Sequence, residues 1–224
     1  MDWSIEHENK DVEAAYAAFL SLINNISIQY AGNSVLQSID FPKSLLEQKV
    51  ALSSTFFDEL TTIITFKDIE GLIKTGQYNQ IALEMATVQL IAGFEHLLQR
   101  YKSIYQTSSN TTVFTESIFG KTVTRNETLM IIDSLHNDLE MDSVVKSDRS
   151  VYPRLLSIIE VRNCIVHSQG IVDSPTSKEK LKPYYSSIEV GEKILLTSEL
   201  YDDFLHYIRS HMRSLAAALP NETP

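Results

Sequence analysis

One cysteine, Cys164, stands among 224 residues, so the chain can form neither an internal disulfide nor a cysteine-rich zinc site. That usage fits a reducing compartment, where the N-x-S/T sequons at Asn25, Asn110, Asn126 and Asn221 are chance matches. Seven glycines and six prolines are too few for a collagen-like or low-complexity chain. No uninterrupted apolar run approaches the roughly eighteen residues of a spanning helix, and the opening "MDWSIEHENKDVEAAY" lacks a positively charged segment followed by an apolar one. These absences lead us to expect a cytoplasmic protein with no membrane partner. The sequence also has no G-x-x-x-x-G-K, G-x-G-x-x-G or G-x-S-x-G, hence none of the usual phosphate loops or nucleophile elbows. No two histidines stand at metal spacing: His206 and His211 are five apart, and His96 beside Glu95 has no second histidine in register. No metal and no cofactor are therefore expected.

What is present suits a packed globule, with 43% hydrophobic residues. The formal charge of −10 should repel nucleic acid from the surface as a whole, so any RNA contact has to use a local patch. Between Val145 and Lys182 seven basic residues, Lys146, Arg149, Arg154, Arg162, Lys178, Lys180 and Lys182, outnumber Asp148, Glu160, Asp173 and Glu179. Lys146, Arg149 and Arg154 are the expected RNA-binding residues. A fluctuation in a solvated surface is the plainer account of the same window.

Apolar periodicity predicts a helix over Glu8 to Tyr30, stopped by "AGNS", and a second from Pro42 through Phe66. Together these predict an N-terminal helical hairpin, residues 1–66, either a unit of its own or part of one domain with residues 67–224. Residues 67–76 read as a connector or short helix. Tyr78 to Gln106 is apolar around most of its circumference, as a helix in the middle of a bundle must be. "TSSNTT" at 107–112 reads as a loop, Thr128 to Met141 and Val151 to His167 as helices. A short extended or hairpin piece follows near 186–197, then a final helix capped by Thr197 or Ser198 and running to about Leu219. With no repeat and no alternation of strands and helices, the fold class is mainly α.

The segment "EVRNCIVHSQG" departs from an ordinary buried helix. On a wheel of about 100° per residue with Arg162 at 0°, Leu155, Val166 and Ile159 fall within about 60° on one side, and Ile158 and Ile165 within about 60° on the other. The arginine thus lies inside the apolar arc, while Asn163, His167 and Glu160 form a polar seam at about 100° to 160°. A buried guanidinium cannot escape by deprotonation, so it must meet a carboxylate, an anionic ligand or water. Glu84 and Glu95, within about 20° of each other on the long apolar helix, are the available carboxylates, and a structural ion pair is one reading. Cys164, at about 200°, points away from Arg162 and reads as an inert thiol.

The other reading is chemical. Histidine exchanges protons near neutral pH, and arginine grips phosphate oxygens through a fixed fork of donors. With an amide beside them they can deprotonate a ribose 2′-hydroxyl, protonate a leaving 5′-oxygen and stabilise the charge growing on phosphorus, without metal. One helix supplies one histidine, so two-sided acid/base work needs a second copy of the chain.

"RNCIVH" resembles the R-x4-6-H motif of the HEPN superfamily, in which a polar residue, often asparagine, follows the arginine. The resemblance covers about residues 78–218. It implies a HEPN-like helical bundle, with the N-terminal hairpin as an addition, that pairs two copies so both motifs face one cleft. It also implies metal-independent RNA cleavage, tRNA being one candidate substrate, in toxin–antitoxin or antiviral-defence systems, with an antitoxin or defence protein as partner. Arg162, Asn163 and His167 match the motif as catalytic residues, and Glu160 and Glu95 are the supporting carboxylates. The acidic total departs from a ribonuclease. The alternative is a noncatalytic HEPN-like adaptor that binds a nucleotide or a protein in the same cleft.

Overall fold

The computed structural model describes residues 3–53, 61–107, 127–139, 141 and 151–223, and these form eight helices and one two-stranded antiparallel sheet. The protein is mainly α. Helix α1 (Lys10–Gln37) starts where Asn9 accepts the Asp11 N–H at 3.1 Å, with Asp11 and Glu13 favouring the positive helix end. Its Val12, Tyr16, Phe19, Ile23 and Ile26 are buried at the spacing of one helical face.

Contrary to the sequence expectation, α1 does not stop at "AGNS". Tertiary contacts hold its last turns: Tyr78 donates to Asn33 at 3.3 Å, and Gln37 to Asn79 at 3.2 Å. Such contacts outweigh the roughly 1 kcal/mol that Gly32 costs a helix interior. The predicted helix from Pro42 to Phe66 is also corrected. Among the described residues of that stretch Lys43–Leu46 is helical (α2), followed by strands β1 (Lys49–Ser53) and β2 (Thr61–Thr65), paired with Val50 opposite Ile64 and Leu52 opposite Thr62. Five successive β-branched residues in β2 explain the change, because their stiff side chains suit a pleated strand better than a helix.

Thr65 then closes a capping box with Asp68, each side chain accepting the other's backbone N–H, and opens α3 (Phe66–Lys74). Gly76, with φ +75°, makes the left-handed turn into α4 (Gln77–Tyr105). α4 has the length and mean hydropathy, 1.3, of a membrane-crossing segment, and half of that stretch is buried within the fold. It contacts α1, α3, α5 (Glu127–Asp138), α6 (Val151–Ser168) and α8 (Ser198–Ala218). Leu83, Leu90, Ile91, Phe94, Leu98 and Tyr101 are fully buried along it. Gly93 marks the closest approach of α1, where a side chain would collide with Leu22 Cδ2.

Helix α6 ends in two left-handed residues, Gln169 and Gly170, and Gly170 returns its N–H to the Cys164 carbonyl at 2.9 Å. The chain beyond, residues 170–172, pairs with an extended strap at 191–194: Val172 N–H meets Glu192 O at 2.9 Å and Ile194 N–H meets Gly170 O at 2.7 Å. Helix α7 (Pro175–Leu181), capped by Ser174 with Pro175 in its first turn, packs on α6. Thr197 caps α8 by accepting the Leu200 N–H at 3.2 Å. One core unites α1, α4, α5, α6 and α8.

Candidate functional site

Helices α4, α5 and α6 enclose an open cleft of about 500 Å³. Glu95, His96 and Gln99 come from α4, Thr128 and Ile131 from α5, and Ile159, Arg162 and Asn163 from α6. The Arg162 guanidinium donates to Glu95 Oε1, and Thr128 Oγ1 donates to the same oxygen at 3.0 Å. Glu95 is therefore the carboxylate that meets Arg162. Glu84 has other partners, with Gln80 at 2.9 Å and Lys193 at 3.8 Å. Arg162 carries five N–H donors, so one bond to Glu95 leaves several for an anion in the cleft.

The seam Asn163, His167 and Glu160 does not form one continuous surface. Asn163 borders the cleft, and His167 is exposed one turn further along α6. Glu160 is buried on the flank that α7 covers. There its Oε1 accepts from Ser177 at 2.5 Å and its Oε2 from Lys180 at 3.0 Å, with Asn163 Nδ2 a weak third donor at 3.5 Å. The wheel set Glu160 in one polar seam with Asn163 and His167 because it took no account of the short helix that folds back over it. The same cover buries Cys164, whose thiol is pushed up to about 11 by burial first and by the nearby Glu160 and Asp173 second. A neutral, buried thiol is a poor nucleophile. Val166, inside the apolar arc of the wheel, is half exposed.

Among the described residues of the basic window most cations are paired. Lys178 pairs with Glu189 at 2.6 Å, Lys180 with Glu160 at 3.0 Å and Lys182 with Glu179 at 2.7 Å. Arg154 is exposed and lies over the Tyr207 ring, 5.6 Å from its centre, on the α8 side of the molecule. Lys146 and Arg149 lie outside the described residues, as does most of the 107–112 loop. Among the described residues no group of three His, Cys, Asp or Glu side chains could hold a metal ion.

No family model, curated protein or solved structure matches this chain. His96, Gln99 and Thr128 escaped the sequence reading. His96 and Gln99 were within reach of it, one and four residues beyond Glu95 on the same helix, where Gln99 shares the face of Glu95. Thr128 was not, because nothing local announces that α5 meets Glu95.

Proposed function

We propose that this chain is a metal-independent endoribonuclease of HEPN type, cytoplasmic, and a toxin or antiviral-defence component that works as a homodimer. The observation that carries the reading is an arginine held by Glu95 in an open polar cleft, with Asn163 beside it and His167 one turn on. Arg162 binds the scissile phosphate and stabilises its growing charge, Asn163 positions an oxygen, and His167 moves a proton. Attack by the 2′-hydroxyl leaves a 2′,3′-cyclic phosphate and a 5′-hydroxyl. Pairing two copies brings two motifs to one cleft, and an antitoxin or defence partner restrains it.

The test is cleavage of end-labelled tRNA and single-stranded RNA by purified protein in excess EDTA, with His167→Ala alongside. Cleavage by the wild type alone, with cyclic phosphate ends, is the expected result. Equal cleavage by His167→Ala sinks the assignment.

A second reading has an observation of its own. Ion pairing of Lys178, Lys180 and Lys182 removes much of the electrostatic attraction that RNA would feel. A noncatalytic adaptor that binds a nucleotide or protein in the cleft accommodates this directly. It predicts ligand binding that depends on Arg162 with no cleavage of any RNA.

A further inference from the structure

A protein that cuts single-stranded RNA has to hold more than the phosphate at which it cuts. Single strands are held by bases seated on apolar and aromatic surfaces and by cations on neighbouring phosphates. The described part of the basic window does not supply this, since Lys178, Lys180 and Lys182 are paired and Arg154 lies on the α8 side. The fold offers another surface beside the cleft.

A second depression, of about 270 Å³, lies between α1 and α4. Ala14, Ala18 and Phe19 line it from α1, and Gly93, His96 and Arg100 from α4. It exists because α1 presents alanines where larger side chains would fill the space between two packed helices. At Gly93 the helices close up, with Leu22 against the glycine. Every side chain lining the depression is apolar except His96 and Arg100. His96 also lines the cleft that holds Arg162, so the two depressions meet at this residue.

The two polar side chains at this edge are uncommitted. Among the described residues neither His96 nor Arg100 has a hydrogen bond, ion pair or ring contact, and both are exposed. They stand four residues apart on α4, about 6 Å along its axis, and so share one face. No carboxylate lines the depression, and Glu13, the residue before Ala14, is engaged by Lys10 at 2.7 Å. An anion at Arg100 therefore meets a cation and no lining acid, although the chain as a whole is acidic. An apolar hollow with an imidazole and a free guanidinium at its rim complements a flat ring that carries a phosphate.

We propose that the α1–α4 depression is a base-binding subsite of the cleft. It takes the base of a nucleotide next to the scissile phosphate, with His96 beside that base and Arg100 on that nucleotide's phosphate. This rests on the ribonuclease reading above and leaves the pairing of two motifs as described there, since each copy carries its own depression. The subsite holds any base better than it chooses among bases, because alanine methyls and Phe19 offer surface and only two side chains at its edge can form hydrogen bonds. Half of its wall comes from α1, which lies outside the stretch that resembles HEPN proteins. The subsite is therefore an addition of this chain and not part of the motif.

The test uses the full chain in excess EDTA and an RNA oligonucleotide that the wild type cuts. The same strand with a 2′-deoxy sugar at the cleaved position is the uncleavable ligand, and further copies of it lack the base on one side or the other of that position. Loss of one of these bases should weaken wild-type binding about tenfold or more. Ala18→Leu fills the depression from an exposed position of α1. It should weaken binding of the intact ligand by a similar factor, bind the abasic ligand no worse than the wild type does, and leave kcat within a few-fold. Arg100→Gln should flatten the slope of log affinity against log salt by about 0.7. Wild-type affinity for the intact ligand in both variants overturns the inference and leaves the ribonuclease reading standing. If Ala18→Leu instead shifts the balance of monomer and dimer in ultracentrifugation at unchanged RNA affinity, a second copy fills the depression and the inference is overturned. A wild-type chain that neither cuts nor binds tRNA or single-stranded RNA overturns the reading and this inference with it.

Discussion

Arg162 on α6 and Glu95 on α4 are joined across the cleft, with Thr128 Oγ1 on the same carboxylate oxygen at 3.0 Å. Their side chains keep 21% and 32% of their exposure, so water screens the pair and its structural value is small. Arg162→Ala should cost about 1 kcal/mol or less, a fall in Tm of about 4 °C at most. The same change should lower RNA cleavage by at least about 100-fold. Calorimetry beside a cleavage assay checks both, and a fall in Tm well beyond that range would make the arginine a structural residue.

Glu160 and Lys180 have the opposite balance. The glutamate side chain is 6% exposed, and removing the lysine leaves its charge buried. Lys180→Ala should destabilise the fold by roughly 3 kcal/mol, while Glu160→Gln with Lys180→Met together should cost much less than the two single changes summed. A double-mutant cycle from urea melts reads the difference.

Stability should decline in alkaline solution. Burial and then Glu160 and Asp173 raise the Cys164 thiol from 9.0 to about 11, and burial raises Tyr16 and Tyr201 from 10.0 to about 12. Each group stays protonated in the folded chain while the unfolded chain releases its proton, so the unfolded state binds fewer protons and gains as pH rises. The contribution of Cys164 is whole below about pH 9 and is lost progressively toward pH 11. Urea midpoints should be flat from pH 7 to 8.5 and fall above pH 9. In the same protein a thiol reagent at pH 8 should modify Cys164 only after unfolding.

At Gly93 a methyl group would collide with Leu22 Cδ2, the far end of a side chain that is 38% exposed and can turn away. Gly93→Ala should therefore change stability by less than about 1 kcal/mol, the clash offset by better helix propensity. Gly93→Leu should cost roughly 2 kcal/mol or more by forcing α1 off α4. Paired thermal melts distinguish the two, and equal large losses would mean that Leu22 cannot move.

Much of the bundle was legible in the chain because its signals are local. Thr197 caps the last helix, Gly170 stops another, and the apolar circumference of α4 marks a core helix. The failures also have local causes. Residues 42–66 carry enough leucine and phenylalanine to imitate a helix, but the β-branched run from Thr61 to Thr65 pairs with Lys49 to Ser53 instead. "AGNS" looks like a stop because the contacts of Asn33 and Gln37 with α4 cannot be read from it.

By itself the sequence determined that the protein is mainly α, that α4 is the axis of the core, and that Arg162 needs a carboxylate, an anionic ligand or water beside it. Each follows from residue type and spacing, since periodicity sets burial and a guanidinium cannot lose its charge. Tertiary structure alone decided which partner it took and which neighbours face it. Glu95 and Glu84 are equivalent on a wheel, and the antiparallel offset of α4 and α6 places Glu95 against Arg162. The same packing turned Glu160 inward under α7 and opened His96 to the cleft, because the exposure of a side chain depends on what folds over it.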